Sequence, residues 1–453
     1  MLFLILSPSW FGHNFANPKD IPFSVGYTAG IYFILLFLKA MPNPNAKHVF
    51  GLVCSIGWAM GVRIGGFLLI AYLVLFVVAF AFLSGQLKTA FKGRIIKQVI
   101  IVGVLGYLIA VLFWPYAHLG IISKPLEALK VMSNFFVNIG MLYDGKKILS
   151  NQVPWFYIPR YILYTAPIIV LVGFALSFIT IPAILRSKKH IVIFSLLILF
   201  TAVFPLGYAI YKNSSLYDGW RHFLFIYPPL AVLAAVGWIA IVKLKPKAIG
   251  FVTIAIVAVG LFLPARFVAA NHPYESLYYN EIAGGLKGMY GRYETDYYMI
   301  GIREATDWLL KNEHPEQRNA VIATSCTYPM IGYLYQANEH NLPADARAII
   351  QRNADFHKDA DYEALEKQQP ALKNPLGVNI AYVRFYERYS KDWDYCILFS
   401  RFVDVSQLTD NRWPPAETIY TVKVDGVPIA AVLKRKTKKD LAGFELMKAK
   451  KLP

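Results

Sequence analysis

Eight apolar runs fill most of the first 264 residues, and they constrain the fold more than anything else in the chain. They span 21–38, 49–60, 67–83, 99–114, 161–185, 191–211, 223–242 and 248–263. About 20 apolar residues in a helix cross the ~30 Å hydrocarbon core of a bilayer, so only the run at Val49 is short. A backbone in lipid must satisfy its own hydrogen bonds, which makes each run a helix. Composition agrees: the chain is 16% charged and 56% hydrophobic, where ordinary soluble domains carry roughly 25% charge.

The charge balance of +18 raises the question of a nucleic-acid partner, and its distribution answers it. Up to Pro264 there are 21 Lys and Arg against four acids, Asp20, Glu127, Asp144 and Asp218; the remainder holds 25 bases and 24 acids. The excess therefore belongs to the hydrophobic half, as membrane topology requires, and no nucleic acid is expected. Alternate connections carry Lys39, Lys47, Lys88, Lys92, Arg94, Lys97, Arg186, Lys188, Lys189, Lys243, Lys245 and Lys247 with no acid. By the positive-inside rule these loops are cytoplasmic. The opening loop Pro8–Asp20, the GVRIGG turn (Gly61–Gly66), the loop Pro115–Arg160 and the stretch Tyr211–His222 then share the outer face, and the tail follows them.

From Ala265 the character is that of a soluble domain. IREATDWLL puts Ile302, Ala305, Trp308 and Leu309 on one helical face. AVIAT and VNIAYVRF read as short strands, and TVKVDGVPIAAVL as a hairpin about Asp425-Gly426. The expected organisation is a polytopic α-helical membrane domain, 1–264, followed by an extracytoplasmic α/β domain, 265–453. Three cysteines make no disulfide framework; Cys326 and Cys396 read as two separate buried thiols more readily than as a bridge. The opening MLFLIL lacks the basic n-region and length of a signal peptide and reads as the end of a span that begins upstream of Met1.

Ionisable residues at a membrane boundary are costly and often mark function. Singly, each has an ordinary explanation. Asp20 is an N-cap with Pro22 in the first turn, Arg63 snorkels from a helical hairpin, Arg221-His222 anchor a span, and His13 is a loop histidine. Together they place a carboxylate, two guanidiniums and two imidazoles on one side of the membrane. That layout suits a phosphate-bearing amphiphile, with an apolar groove for its tail and Arg forks for its headgroup.

NPKDIPF before a long span resembles the D-x-P element (Asp20, Pro22) that opens a transmembrane helix in GT-C class glycosyltransferases of the family 39 group, the dolichyl-phosphate-mannose–protein mannosyltransferase-like enzymes of bacteria. FGLVCSIGWAMGVRIGG is similar to that group's helical hairpin, with Arg63 at a tip where relatives often carry Lys. GWRHFLFIYPPLAVLAA is similar to its R-[YH]-x-x-x-x-x-P motif (Arg221, His222, Pro228), and Asn271–Tyr298 resembles the signature after the last span in a subgroup with an extracytoplasmic domain.

The resemblance implies inverting transfer of a sugar from a polyprenyl-phosphate donor to a glycan, lipid or protein acceptor outside a bacterial inner membrane. It casts Asp20 as the second acid and turns Arg63, Arg221 and His222 to the donor phosphate. A divalent cation is the one cofactor the family leaves room for. His13, Glu275 and Asp296 are candidates for acceptor support, although Glu275, Glu281, Glu294 and Asp296, set among Tyr and Gly, read more readily as packing the tail domain onto the membrane half. The family's catalytic acid lies in its first outer loop, yet no Asp or Glu precedes Asp20, so either the natural protein extends upstream of Met1 or the chain as given is inactive. Two other readings stay open: a transporter or flippase of lipid-linked sugars, and a non-catalytic membrane scaffold.

Overall fold

The computed structural model describes residues 1–85, 93–133, 138–244, 246–338, 377–410 and 412–435. Lys88, Lys92 and Lys245 of the basic loops lie outside them. Contacts divide the chain into two units: Met1–Tyr143 with Lys147–Met289, and Asp144–Lys146 with Tyr290–Pro453.

The first unit is helical. Among the described residues, seven helices are long and apolar enough to cross a membrane: Asp20–Lys39, Ile64–Leu83, Arg94–Leu112, Ile168–Leu185, Lys189–Tyr211, Arg221–Val242 and Lys247–Asn271. Ala46–Val62 is a shorter apolar helix of 17 residues. Their outward faces carry exposed Val74, Leu75, Phe82, Ile100, Val104, Leu108, Phe251, Val259 and Phe262, the surface of a polytopic membrane protein.

Prolines decide where these helices bend and what fills the gaps. Pro205 lies inside the Lys189–Tyr211 helix and cannot donate to the Thr201 carbonyl one turn back. The buried Tyr27 hydroxyl donates to that carbonyl instead, at 2.8 Å, and lies 3.3 Å from the Tyr72 hydroxyl. The run from Tyr161 to Leu185 is not one helix. A residue before proline is pushed out of the α region; Ala166 is accordingly extended, ending the Tyr157–Thr165 helix, and the chain turns helical again at Ile168. The break orphans several carbonyls, and buried Asn280 closes it. Its side-chain amide donates to Leu163 O (2.7 Å) and Ala166 O (2.8 Å), and its backbone N–H to Tyr164 O (2.7 Å). The Ile168–Ser177 and Tyr227–Val242 helices cross so closely that a Cβ on Gly237 would lie 2.0 Å from the Gly173 carbonyl oxygen; small residues make such crossings in membranes.

The division between the units falls after Met289, beyond the 264/265 boundary that hydropathy suggests. The last span runs past Pro264 to Asn271. The turn that follows, Glu275–Leu277, packs under the short Pro8–Ala16 helix, where a Cβ on Gly12 would come 2.3 Å from the Ser276 nitrogen. Polar residues in this stretch therefore hide membrane-half packing from a hydropathy reading.

Strands β1 (Gly140–Tyr143) and β2 (Lys146–Leu149) form a separate pair. The second unit is built on a five-stranded sheet in the order β4-β3-β5-β7-β6, with β3 (Val321–Thr324), β4 (Asn379–Tyr382), β5 (Tyr395–Phe399), β6 (Thr418–Val424) and β7 (Val427–Lys434). β3 is parallel to β4 and β5, while β7 runs antiparallel to β5 and β6. β5 is buried at all five positions, as expected of a strand covered on both faces. The hairpin turns at Asp425 and Gly426, whose φ angles of 48° and 78° are the two left-handed residues of a type I′ turn. The Gly301–Glu313 helix buries Ile302, Ala305 and Leu309 against this hairpin and stacks Trp308 on Tyr420, with ring centroids 4.6 Å apart. Cys326 and Cys396 are free and buried.

Candidate functional site

The site is assembled from three helix ends of the first unit. Asn17 closes the Pro8–Ala16 helix and turns its side-chain oxygen to the Asp20 amide, at 2.9 Å. Asn17, rather than Asp20, thus supplies the capping acceptor for the Asp20–Lys39 helix. The Asp20 carboxylate is thereby released for other work. It accepts from the Asn17 amide at 2.6 Å and is itself 2% exposed.

Both expected guanidiniums reach it. The Ala46–Val62 helix ends where Arg63 turns extended (φ −147°, ψ 138°), and this aims Arg63 across at Asp20 Oδ1, with which it is ion-paired. Arg221, from the far end of the unit's sequence, lies 3.3 Å from Asp20 Oδ2 through Nη1. Arg221 is 11% exposed and Arg63 28%, so Arg63 is the more open of the two. A buried carboxylate is tolerated only when paired and hydrogen-bonded, and here three partners converge on one group.

Arg221 has a second carboxylate that the sequence reading counted but did not single out. Asp218 Oδ2 lies 3.8 Å from Arg221 Nε. Asp218 and Gly219 take consecutive left-handed conformations (φ 55° and 66°), which turn the chain sharply enough to bring residue 218 back beside residue 221. The turn is pinned: Gly219 N–H donates to the Tyr157 hydroxyl at 3.1 Å, and Trp220 Nε1 donates to Thr165 Oγ1 at 2.8 Å. The Arg221 guanidinium also lies 5.1 Å from the Tyr217 ring centroid. The visible signal was an Asp-Gly pair three residues before an Arg; its meaning depends on the turn geometry.

The imidazoles flank the cluster. His13 Nδ1 lies 3.3 Å from the Asn17 amide. Burial first, then the Arg221 charge, pushes its pKa down from 6.5 to about 3, so His13 is neutral at pH 7. His222 stacks edge-on to Tyr217 at 4.8 Å. The two remaining acids are occupied otherwise. Glu275 is fully buried under the Pro8–Ala16 helix and lies 2.5 Å from His272 Nδ1. Asp296 belongs to the second unit and accepts backbone N–H groups from Ile300 (3.0 Å) and Gly301 (3.1 Å), at the start of the Gly301–Glu313 helix. Burial raises its pKa, and those N–H groups pull it back. Glu294 likewise stays within the second unit, 2.6 Å from Arg401.

Two carboxylates and two guanidiniums balance in charge. Such a cluster is close to neutral rather than a bare cation. It does not fit a divalent cation: Asp20 and Asp218 both face guanidiniums, and among the described residues no three His, Cys, Asp or Glu side chains gather to hold a metal. No protein-family model, no curated protein and no solved structure matches this chain.

Proposed function

We propose that the chain is a membrane glycosyltransferase that takes its sugar from a polyprenyl-phosphate donor, with the Asp20–Arg63–Arg221 cluster as the donor-phosphate site. The observation that carries the reading is the convergence of two guanidiniums, from separate helix ends, on one buried carboxylate at the end of an apolar bundle. Planar guanidinium forks match phosphate oxygens bidentately.

In the proposed reaction the acceptor oxygen attacks the anomeric carbon and the bond from that carbon to the phosphate oxygen breaks. The electron pair leaves with polyprenyl phosphate, whose charge grows from one negative charge toward two. Guanidiniums fixed beforehand stabilise that growing charge more than they stabilise the diester, and this is the condition for catalysis. Asp20 acts as a positioning residue, holding both forks in register. His13 and His222 close the site around them. The acceptor's proton is taken by a general base, a role that Asp20, committed to both guanidiniums, does not fill. Under this reading the cluster and the second unit are extracytoplasmic, in line with the lysine-rich opposite connections.

The test is purified full-length protein in nanodiscs given sugar–polyprenyl-phosphate donors labelled in the sugar. Release of polyprenyl phosphate with label moved to an acceptor supports the reading, and Asp20→Asn should cut turnover by about 10²-fold or more, a loss typical of disturbed preorganisation. Donor carried across a bilayer without cleavage would make the protein a transporter instead.

A further inference from the structure

The segment between the Arg94–Leu112 span and the first strand pair was expected to be a plain outer loop. Its contacts say otherwise. Just past the span a single helical turn, Pro115–His118, folds the chain over, and the His118 ring bonds the Val111 carbonyl at 2.8 Å. The Tyr107 hydroxyl then donates to the Ile121 carbonyl. Tyr107 stands more than a turn before the end of its helix, and side chains on a helix lean toward its N-terminus. A backbone carbonyl within reach of that hydroxyl has therefore come back down alongside the span.

The next helix, Ser123–Ser133, packs against the Ile64–Gly66 turn that joins two spans directly beside Arg63. This segment turns large apolar side chains away from the protein: Leu119 is 75% exposed, Ile122 67% and Leu126 58%, with Ile121 and Met132 exposed beside them. On the helix, Leu126, Leu129 and Met132 share one side. Lys124 and Glu127, paired at 2.8 Å, lie on the other with exposed Val131 between them, and Lys130 stands at the border, one turn from Leu126.

We infer that Leu119–Met132 is embedded in the bilayer interface, with lipid acyl chains as the occupant of its apolar side and Lys124 and Lys130 at headgroup level. Continuity supplies the occupant: the exposed apolar side chains of the adjoining span, Val104, Leu108 and Leu112, are followed along the chain by exposed Phe113, Tyr116 and Leu119. The polar side of an amphipathic helix at such a boundary faces water and headgroups. The segment thus forms a lipid-side wall next to Arg63, and a lipid headgroup reaching Arg63 passes it.

The test uses the full chain with Cys54→Ser, since Cys326 and Cys396 are buried, reconstituted in phosphatidylethanolamine–phosphatidylglycerol vesicles. Single cysteines at Ile122, Leu126, Glu127 and Val104 carry a nitroxide whose collisions with oxygen and with a soluble nickel chelate are compared. Ile122 and Leu126 should favour oxygen as Val104 does, and Glu127 should favour nickel. Nickel access at Ile122 and Leu126 equal to that at Glu127 overturns the inference. The unmodified chain gives an independent readout with a diazirine-bearing acyl lipid: crosslinks should map to 119–132, and crosslinks confined to the spans would contradict it. Neither measurement contains a sugar donor, so embedding holds or fails apart from the transferase reading.

Discussion

Asp20 is held by the Asn17 amide and two guanidiniums, so the residues around it are not interchangeable even where charge is kept. Arg221 uses Nη1 toward Asp20 and Nε toward Asp218, a geometry a lysine cannot copy. Arg221→Lys should lower the melting temperature well beyond Arg63→Lys, because a single ammonium cannot replace the fork that serves both Asp20 and Asp218, a loss of about 1–3 kcal/mol in charge-assisted hydrogen bonding. Equal shifts for the two variants would show that Arg221 is not the organising cation. His13 gives a pH handle. Its folded pKa of about 3 lies below the unfolded value of 6.5, so the unfolded chain takes the proton first. Its contribution to stability is complete above about pH 6.5 and is lost as pH falls from there toward 3. His13→Asn should therefore flatten the fall in melting temperature between about pH 7 and about pH 5, measured by differential scanning fluorimetry. The candidates Asp20, Arg63 and Arg221 were visible as polar residues at helix ends. Their pairing was not, because Asp20 and Arg221 meet across 201 positions of sequence and no local pattern encodes that contact.

At the scale of single helices, prolines create defects and particular side chains repair them. Tyr27 fills the carbonyl that Pro205 leaves open, so the two residues should be energetically coupled. Tyr27→Phe alone leaves a buried acceptor unmatched and should destabilise by about 1–3 kcal/mol. In a Pro205→Ala background, where residue 205 regains its N–H, the same change should cost much less; additive losses in the double-mutant cycle would refute the coupling. Asn280 repairs the break at Pro167 with two side-chain donors. Asn280→Ala should destabilise the first unit by about 2–4 kcal/mol and open the Tyr157–Thr165 region to limited proteolysis. Unchanged cleavage would mean that the break is stable by itself. Hydropathy found these apolar stretches, since apolar runs leave lipid-crossing backbone no alternative, but it ended the last helix at Leu263 where the helix runs to Asn271. It missed the break at 166–167 because Pro167 is apolar enough to pass unnoticed in a window average.

For the molecule as a whole, the greasy first part and the sheet-bearing second part were legible from composition and from strand and turn signals, the Asp425-Gly426 hairpin most clearly. The order β4-β3-β5-β7-β6 was not, since parallel neighbours are set by crossovers that leave no mark in a strand's own residues. The division after Met289 was hidden for a related reason: Asn271–Met289 is polar in sequence yet contributes Glu275 and Asn280 to the interior of the helical unit. The central claim is that this unit presents Arg63 and Arg221 to the phosphate of an isoprenoid lipid. The most direct measurement is the affinity of polyprenyl phosphate for purified full-length protein in nanodiscs, with uncharged polyprenol as reference, in wild type, Arg63→Gln and Arg221→Gln. Saturable binding of the phosphate, absent for the alcohol and weakened about tenfold or more in both variants (a loss of about 1.4 kcal/mol each), is the predicted result. Equal affinity for phosphate and alcohol, or unaltered affinity in both variants, would contradict it.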